Sequence, residues 1–370
     1  MIVRAYITHK QAEQFSDCQD RFSVNIDTKS IAVSDGMGST WQQKIWAQLL
    51  VDAFTDSTDW FPTRETIKPL CKSWRNKVID YIEQLKERPR TGLQQREIKL
   101  LDALIYRNER GLALGYSAGA TFVGIRFEKN LWKGSVLGDS CLIEWDGNKA
   151  KFYTSQDVEA FDSYPDYFDS DETKEGKGTP KDISGILDKG NYLLLVSDPF
   201  SDFLLEHNKQ GDISEYLQQL LKLSSHDEFE ALVDNWRVKG MHNDDTTLVI
   251  IEDDQTELLS TIICDDINLM IEKERIENEK QKESSLVLVD SSQQKIQERQ
   301  KNQIENVELK DEHCLSLVEE EVFRNVFLKE YKRALKGRFP YAKDFKFKWT
   351  QRAVIEAISK IFDKYSIVSK

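Results

Sequence analysis

Four aspartates stand where apolar, β-branched runs begin or end, so each would project a short carboxylate from a rigid strand terminus. Asp20 precedes Arg21–Ile26, and Asp35 follows Ile31, Ala32, Val33 and Ser34 and leads into Gly36, Met37 and Gly38. Asp198 follows Tyr192–Val196, while Asp244, with Asp245 beside it, precedes Thr247–Ile251. One Asp-Gly after a strand is usually a turn; the recurrence of aspartate at strand ends is the stronger signal. Carboxylates leaving adjacent strands can converge on one sheet edge, where they repel unless a cation lies among them. Four such charges would balance two divalent ions, and all-oxygen ligation selects hard metals such as Mg²⁺ or Mn²⁺ over zinc. Gly36 and Gly38 suit this picture, because a backbone carbonyl approaches a metal closely only where side chains are absent.

Short β-branched and aromatic runs must position these groups. The strand expectations are Ile2–Ile7, Arg21–Ile26, Lys29–Ser34, Ala120–Phe127, Leu131–Leu137, Ser140–Glu144, Asn191–Ser197 and Thr247–Glu252. Asp146, Gly147 and Asn148 read as a hairpin turn, which makes part of the sheet antiparallel. Apolar residues at helical spacing predict helices over Trp41–Phe54, Glu65–Lys86 and Gln94–Leu114, packed as a layer on the sheet, and a further pair over Ser214–Leu223 and Asp227–Val238. The acidic, Gly- and Pro-containing stretch Phe161–Pro180 reads as a surface loop. Residues 1–252 therefore form one α/β unit. Beyond them, 253–310 reads as a charged helical linker and 311–370 as a small helical C-terminal domain.

The order of these motifs resembles the metal-dependent serine/threonine protein phosphatases of type 2C, in their bacterial form. Cys18-Gln19-Asp20-Arg21-Phe22 is similar to the family's first acidic box, and Asp35-Gly36-Met37-Gly38 to its Asp-Gly-x-Gly signature. Gly119-Ala120-Thr121, Gly138-Asp139-Ser140, Ser197-Asp198 and Asp244-Asp245-Thr246-Thr247 follow in the family's order over about two-thirds of the chain. The resemblance implies a four-layer α-β-β-α sandwich of two mainly antiparallel sheets flanked by helices, here with a helical C-terminal extension that the resemblance does not cover. It also implies a metal pair. Asp35 would bridge two Mg²⁺ or Mn²⁺ ions, the Gly36 carbonyl would bind one, and Asp20, Asp198 and Asp244 would complete the shells. A third ion would use Asp139 and Asp202. Two dications about 3.5–4 Å apart lower the pKa of a water between them toward neutrality and offset charge on phosphoryl oxygens, which is the chemistry of phosphoester hydrolysis. His9 and His242 are candidates for protonating the leaving oxygen, although a packing or surface role is the commoner one for such residues.

Three positions depart from the family's pattern. Phe15 stands where many members carry an arginine that grips the substrate phosphate, which leaves Lys10 and His9 as the nearest cations. Pro199 replaces a usual glycine after Asp198; it lacks a backbone donor and has a fixed φ, features expected to reshape the loop carrying Asp202. Gln19 replaces a frequent acid. The expected activity is hydrolysis of phosphoserine and phosphothreonine in proteins, with a phosphorylated protein and its kinase as partners. The alternative is a catalytically impaired, phosphatase-like binding or regulatory protein acting through its C-terminal helical, basic-aromatic region.

Other function classes find no footing. The five cysteines are scattered without zinc or redox spacing, and neither a His-Glu-x-x-His nor a Gly-x-Ser-x-Gly motif occurs. The net charge of −13 disfavours nucleic acid and acidic membranes, and the N-terminal residues do not read as a signal peptide, so the expectation is a cytoplasmic protein without membrane association. One stretch runs against that charge. Residues 329–352 interleave lysines and arginines with aromatics; the commoner reading is a small helical domain whose aromatics form its core and whose lysines are solvated, and the alternative is a surface for a protein partner or, more weakly, for nucleic acid.

Overall fold

Alternation along the strands sets the architecture. Leu193 and Leu195 share one buried cluster, Leu194 and Val196 another, so their strand is covered on both faces. A strand covered on both faces reads as an unbroken apolar run. The computed structural model describes residues 1–155, 165–256 and 258–280. In chain order these give β1 (Ile2–Thr8), β2 (Arg21–Asn25), β3 (Ser30–Ser34), α1 (Gln43–Thr55), α2 (Lys68–Glu87), α3 (Gln95–Ala113), β4 (Gly119–Ala120), β5 (Phe122–Glu128), β6 (Leu131–Leu137) and β7 (Cys141–Trp145). There follow β8 (Ala150–Tyr153), β9 (Phe168–Asp169), β10 (Lys181–Ile186), β11 (Tyr192–Val196), α4 (Asp198–Gln210), α5 (Ile213–Leu221), α6 (His226–Val238), β12 (Thr246–Glu252) and β13 (Ser260–Cys264).

Two main sheets stack face to face. One has the order β13-β1-β12-β11-β7-β8 and the other β10-β6-β5-β3-β2; every pairing in them is antiparallel except β13 with β1. Val3, Ala5, Ile31, Val33, Val123, Ile125, Leu195 and Val249 fill the space between the sheets. On the outer face of the first sheet, Phe200, Leu204, Leu217, Phe229, Val233 and Trp236 from α4–α6 cover Tyr6, Leu194 and Ile250. On the outer face of the second, Trp46, Leu50 and Phe54 of α1 cover Ala32 and Phe122. The result is the expected α-β-β-α sandwich. No helix among the described residues is long and apolar enough to cross a membrane.

Several elements differ from the sequence expectation. The layer over the second sheet is mainly α1: α2 packs on α1, and α3 packs on α2 through a small cluster of Leu85, Leu101 and Ile105. Within the expected loop Phe161–Pro180, the described part includes β9, which pairs with β4, and β10 begins immediately after it. A helix, α4, starts at Asp198, because Pro199 occupies its first turn, where a missing N–H costs nothing and a φ near −65° is already helical. Past residue 252, where helix was expected from about 257, β13 instead extends the first sheet alongside β1 before residues 267–280 turn helical. Thr261, Ile262 and Ile263 supply the β-branched run that surrounding glutamates and lysines conceal. The rest of the expected linker, the expected domain over 311–370 and the basic-aromatic stretch lie outside the described residues.

Candidate metal centre

The strand ends deliver their aspartates to one end of the sandwich. Asp20 enters β2 fully buried: its Oδ2 accepts a hydrogen bond from Thr247 Oγ1 at 2.8 Å, and its Oδ1 is buried without a hydrogen-bond partner. Burial first, then the charge of Asp245, pushes the Asp20 carboxyl up to about 7. Asp35 leaves β3 on a network of hydroxyls. Its N–H donates to Thr121 Oγ1 at 3.2 Å, its carbonyl accepts from Thr121 N at 2.9 Å, Ser34 Oγ donates to the Thr121 carbonyl at 2.6 Å, and Thr121 Oγ1 lies 2.6 Å from Ser140 Oγ. The Gly-x-Thr and Gly-Asp-Ser boxes thus meet behind Asp35. Crowding by protein raises its carboxyl well above the usual range, and Asp20, Asp198, Asp139 and Asp244 add to the effect.

Asp198 opens α4. Ser197 Oγ accepts Thr247 N–H at 2.9 Å, which ties this helix start to β12. Burial again raises the Asp198 carboxyl well above normal, followed by Asp139, Asp20, Asp244 and Asp202. Asp202 lies one turn further along α4, on the face that carries Asp198, and burial raises its carboxyl while His242 opposes the shift. Asp139 is buried in the turn after β6, with its carbonyl accepting from Ser201 Oγ at 2.7 Å, so α4 is pinned to that turn as well. The α4 N-terminus adds a favourable dipole for negative charge at Asp198.

Asp244 behaves differently. Its side chain is half exposed, and its Oδ1 meets Lys10 Nζ at 3.1 Å. Its neighbour Asp245 is buried and takes two backbone N–H groups, Lys10 at 3.0 Å and Gln19 at 2.7 Å, so it clamps both ends of the loop of residues 9–19. Gly36 forms a bridge with Ala120, and a side chain there would press within 3.0 Å of the Gln19 carbonyl and the Gln43 Cγ. Phe15 is buried against His9, ring centroids 4.7 Å apart, and supplies no cation. His9 Nδ1 lies 2.9 Å from the Lys10 carbonyl, whereas His242 is exposed.

Asp20, Asp35, Asp139, Asp198 and Asp202 therefore share one electrostatic neighbourhood, with Asp244 at its rim. Among the described residues, no three histidine, cysteine or acidic side chains approach to the spacing that would by itself enclose a metal ion. The donor chemistry nevertheless fits a hard dication: the groups are all oxygen, the charges of Asp20 and Asp139 raise the Asp35 and Asp198 carboxyls, and one oxygen of buried Asp20 has no partner. A sequence reading misses the roles of Thr121, Ser140, Thr247 and Asp245. All four lie inside recognisable boxes, but their hydroxyls and carboxylate act on residues distant in the chain. A separate cleft of about 750 Å³ opens between β2, α1, α2 and residues 264–268 and includes none of these site aspartates.

No family model matches the sequence, and no curated protein matches it. Among solved structures the fold is similar to the serine/threonine phosphatase of S. agalactiae, at 14% identity over 68% of this chain and 99% of that one, with a TM-score of 0.42. It is similar also to the serine/threonine phosphatase Stp1 of Staphylococcus aureus, at 13% identity over 68% and 95% of the two chains and a TM-score of 0.41. A third similar structure is the catalytic domain of the phosphatase PstP in complex with two manganese ions, at 15% identity over 67% and 96%, with a TM-score of 0.40.

Proposed function

We propose that the protein hydrolyses phosphoserine and phosphothreonine in proteins, with Asp20, Asp35, the Gly36 carbonyl, Asp198 and Asp244 holding two Mg²⁺ or Mn²⁺ ions, and Asp139 with Asp202 offering a place for a third. The observation that carries this reading is the convergence of Asp20, Asp35 and Asp198, contributed by three separate sequence boxes, at one end of the sandwich, where burial raises all three carboxyls and the charge of Asp20 further raises the other two. Uncompensated carboxylates at such density oppose folding unless a cation joins them. When bound, the ions would supply an acidified water and offset charge on the phosphoryl oxygens.

The chain's own residues do the positioning. Thr121 and Ser140 fix the backbone of Asp35, Thr247 orients Asp20, and Ser201 couples α4 to the turn of Asp139. Lys10 brings an ammonium to the rim. Burial disfavours its charge, but the Asp244 hydrogen bond and charge outweigh that and raise its pKa. A phosphoryl group entering at this rim would meet Lys10 in the absence of an arginine at position 15. The reading in which the site binds but does not turn over is favoured by one observation, that Lys10 already neutralises Asp244. Hydrolysis of p-nitrophenyl phosphate and of a phosphothreonine peptide, with and without Mn²⁺, separates the two. Metal-dependent release of phosphate supports the phosphatase, and its absence at every metal concentration supports the binding protein.

A further inference from the structure

The segment after β12 reaches back to the rim of the carboxylate centre. Asp265, just past β13, accepts a hydrogen bond from Ile7 N at 3.3 Å and pairs with His226 Nδ1 at 2.7 Å, and its own N–H donates to the Ala5 carbonyl at 3.1 Å. The His226 ring faces Glu230 through Nε2 at 3.3 Å, and Glu230 in turn accepts from Thr8 Oγ1 at 3.1 Å. Nine residues beyond Asp265, on the helix over 267–280, Glu274 Oε2 accepts the Phe15 backbone N–H at 2.9 Å, and its Oε1 lies 3.9 Å from His9 Nε2. Phe15 is packed edge-on against His9 and 5.8 Å from the His226 ring.

These contacts act on one piece of chain, the loop of residues 9–19. Asp245 holds its two ends through Lys10 N and Gln19 N, and Glu274 holds its middle through Phe15 N. The other cations near the cluster donate to backbone carbonyls: Arg21 to Cys18 and Asp20, Arg237 to His9 and Asp244, and Lys44 to Ser16. Lys10 alone of these four cations directs its charge at Asp244.

We propose that residues 260–280 are a working part of the site, with Glu274 a positioning residue: it fixes the loop of residues 9–19 and thereby the Lys10 ammonium that meets the substrate phosphoryl group. The inference rests on the phosphatase reading for its substrate, while the anchoring of the loop stands apart from it. A carboxylate accepting a backbone N–H makes a charge-assisted bond, so its loss releases the middle of the loop. Glutamine at 274 keeps an oxygen that can accept the same N–H; alanine does not.

The test uses the full chain with Mn²⁺. Glu274→Ala is expected to raise KM for a phosphothreonine peptide about tenfold while kcat stays within about twofold, and to speed amide exchange at Phe15, whereas Glu274→Gln stays close to the parent in all three. An unchanged KM in Glu274→Ala overturns the inference even where exchange at Phe15 has quickened. So does unchanged exchange at Phe15. Should the parent protein hydrolyse nothing, the phosphatase reading falls and the affinity for inorganic phosphate decides: weaker binding in Glu274→Ala than in Glu274→Gln supports the positioning role, and equal binding overturns it.

Discussion

Two clusters of acids lie in the same sandwich and have opposite electrostatic outcomes. At the strand ends, Asp20, Asp35 and Asp198 have carboxyls held well above their ordinary range, because burial opposes ionisation of all three, with the charge of Asp245 adding at Asp20 and the charges of Asp20 and Asp139 adding at Asp35 and Asp198. At the junction of β1, α6 and the start of the 267–280 helix, Asp265 and Glu230 flank His226. There burial opposes the imidazolium, yet the two acidic partners push the ring up to about 9, and Glu230 is correspondingly lowered. One cluster brings its own cation and the other does not. A set of acids that closes on its own counter-charge serves as a fastening, whereas a set left short of positive charge suits an ion from solution.

The difference can be broken most severely at the strand ends. Asp35→Ala and Asp198→Ala are each expected to lower kcat by a factor of about 1000 or more while the far-ultraviolet circular dichroism is unchanged. Retained turnover in both would remove these aspartates from the chemistry. A second test exploits pH. Raised carboxyl pKa values mean that the folded protein holds protons that the unfolded chain has already released, so the metal-free protein loses stability as pH rises from about 4, through about 7 for Asp20, with Asp35 and Asp198 acting in the same direction. Mn²⁺ should therefore raise Tm more near pH 8 than near pH 5.5, and equal shifts at the two values would contradict the picture of uncompensated charge.

The fastening titrates the other way. Because the folded pKa of His226 lies near 9 against 6.5 for the free side chain, its contribution is present in full below about 6.5 and disappears as pH rises through about 9. His226→Ala should cost about 2 kcal/mol near pH 6 and little above pH 10, read from urea unfolding at the two values. The smallest effect is expected from Thr247→Val. It deletes the donor to Asp20 Oδ2, costs about 1 kcal/mol, and pushes the Asp20 carboxyl further upward, which a carboxyl-carbon NMR titration would register.

Much of this was legible in the sequence because burial and chemistry left local marks. Strands such as Tyr192–Val196 and Thr246–Glu252 are apolar on both faces and stand out against any neighbour. β10 does not: of Lys181–Ile186 only Ile183 is buried, as suits an edge strand, and its Gly185 leaves room for Trp132. β13 is an edge strand too, pairing on one side with β1 alone. The start of α4 was obscured by Pro199, which breaks a helix interior but belongs in a first turn. At the site, the aspartates followed from their places at strand ends, while their supports did not. The contact between Glu274 and Phe15 joins residues 259 positions apart and follows no spacing rule. The pairing of Lys10 with Asp244 spans 234 positions.

If dications complete the carboxylates at the strand ends, the protein must take up Mn²⁺ there. An equilibrium titration of the full chain with Mn²⁺, followed by electron paramagnetic resonance of the free ion, counts the bound ions. At least two bound ions per chain are expected in the parent protein, and their loss in Asp35→Asn, whose side chain keeps its shape but not its charge. A parent protein that binds no Mn²⁺, or an Asp35→Asn variant that binds it as well as the parent does, would contradict a dication site at the strand ends.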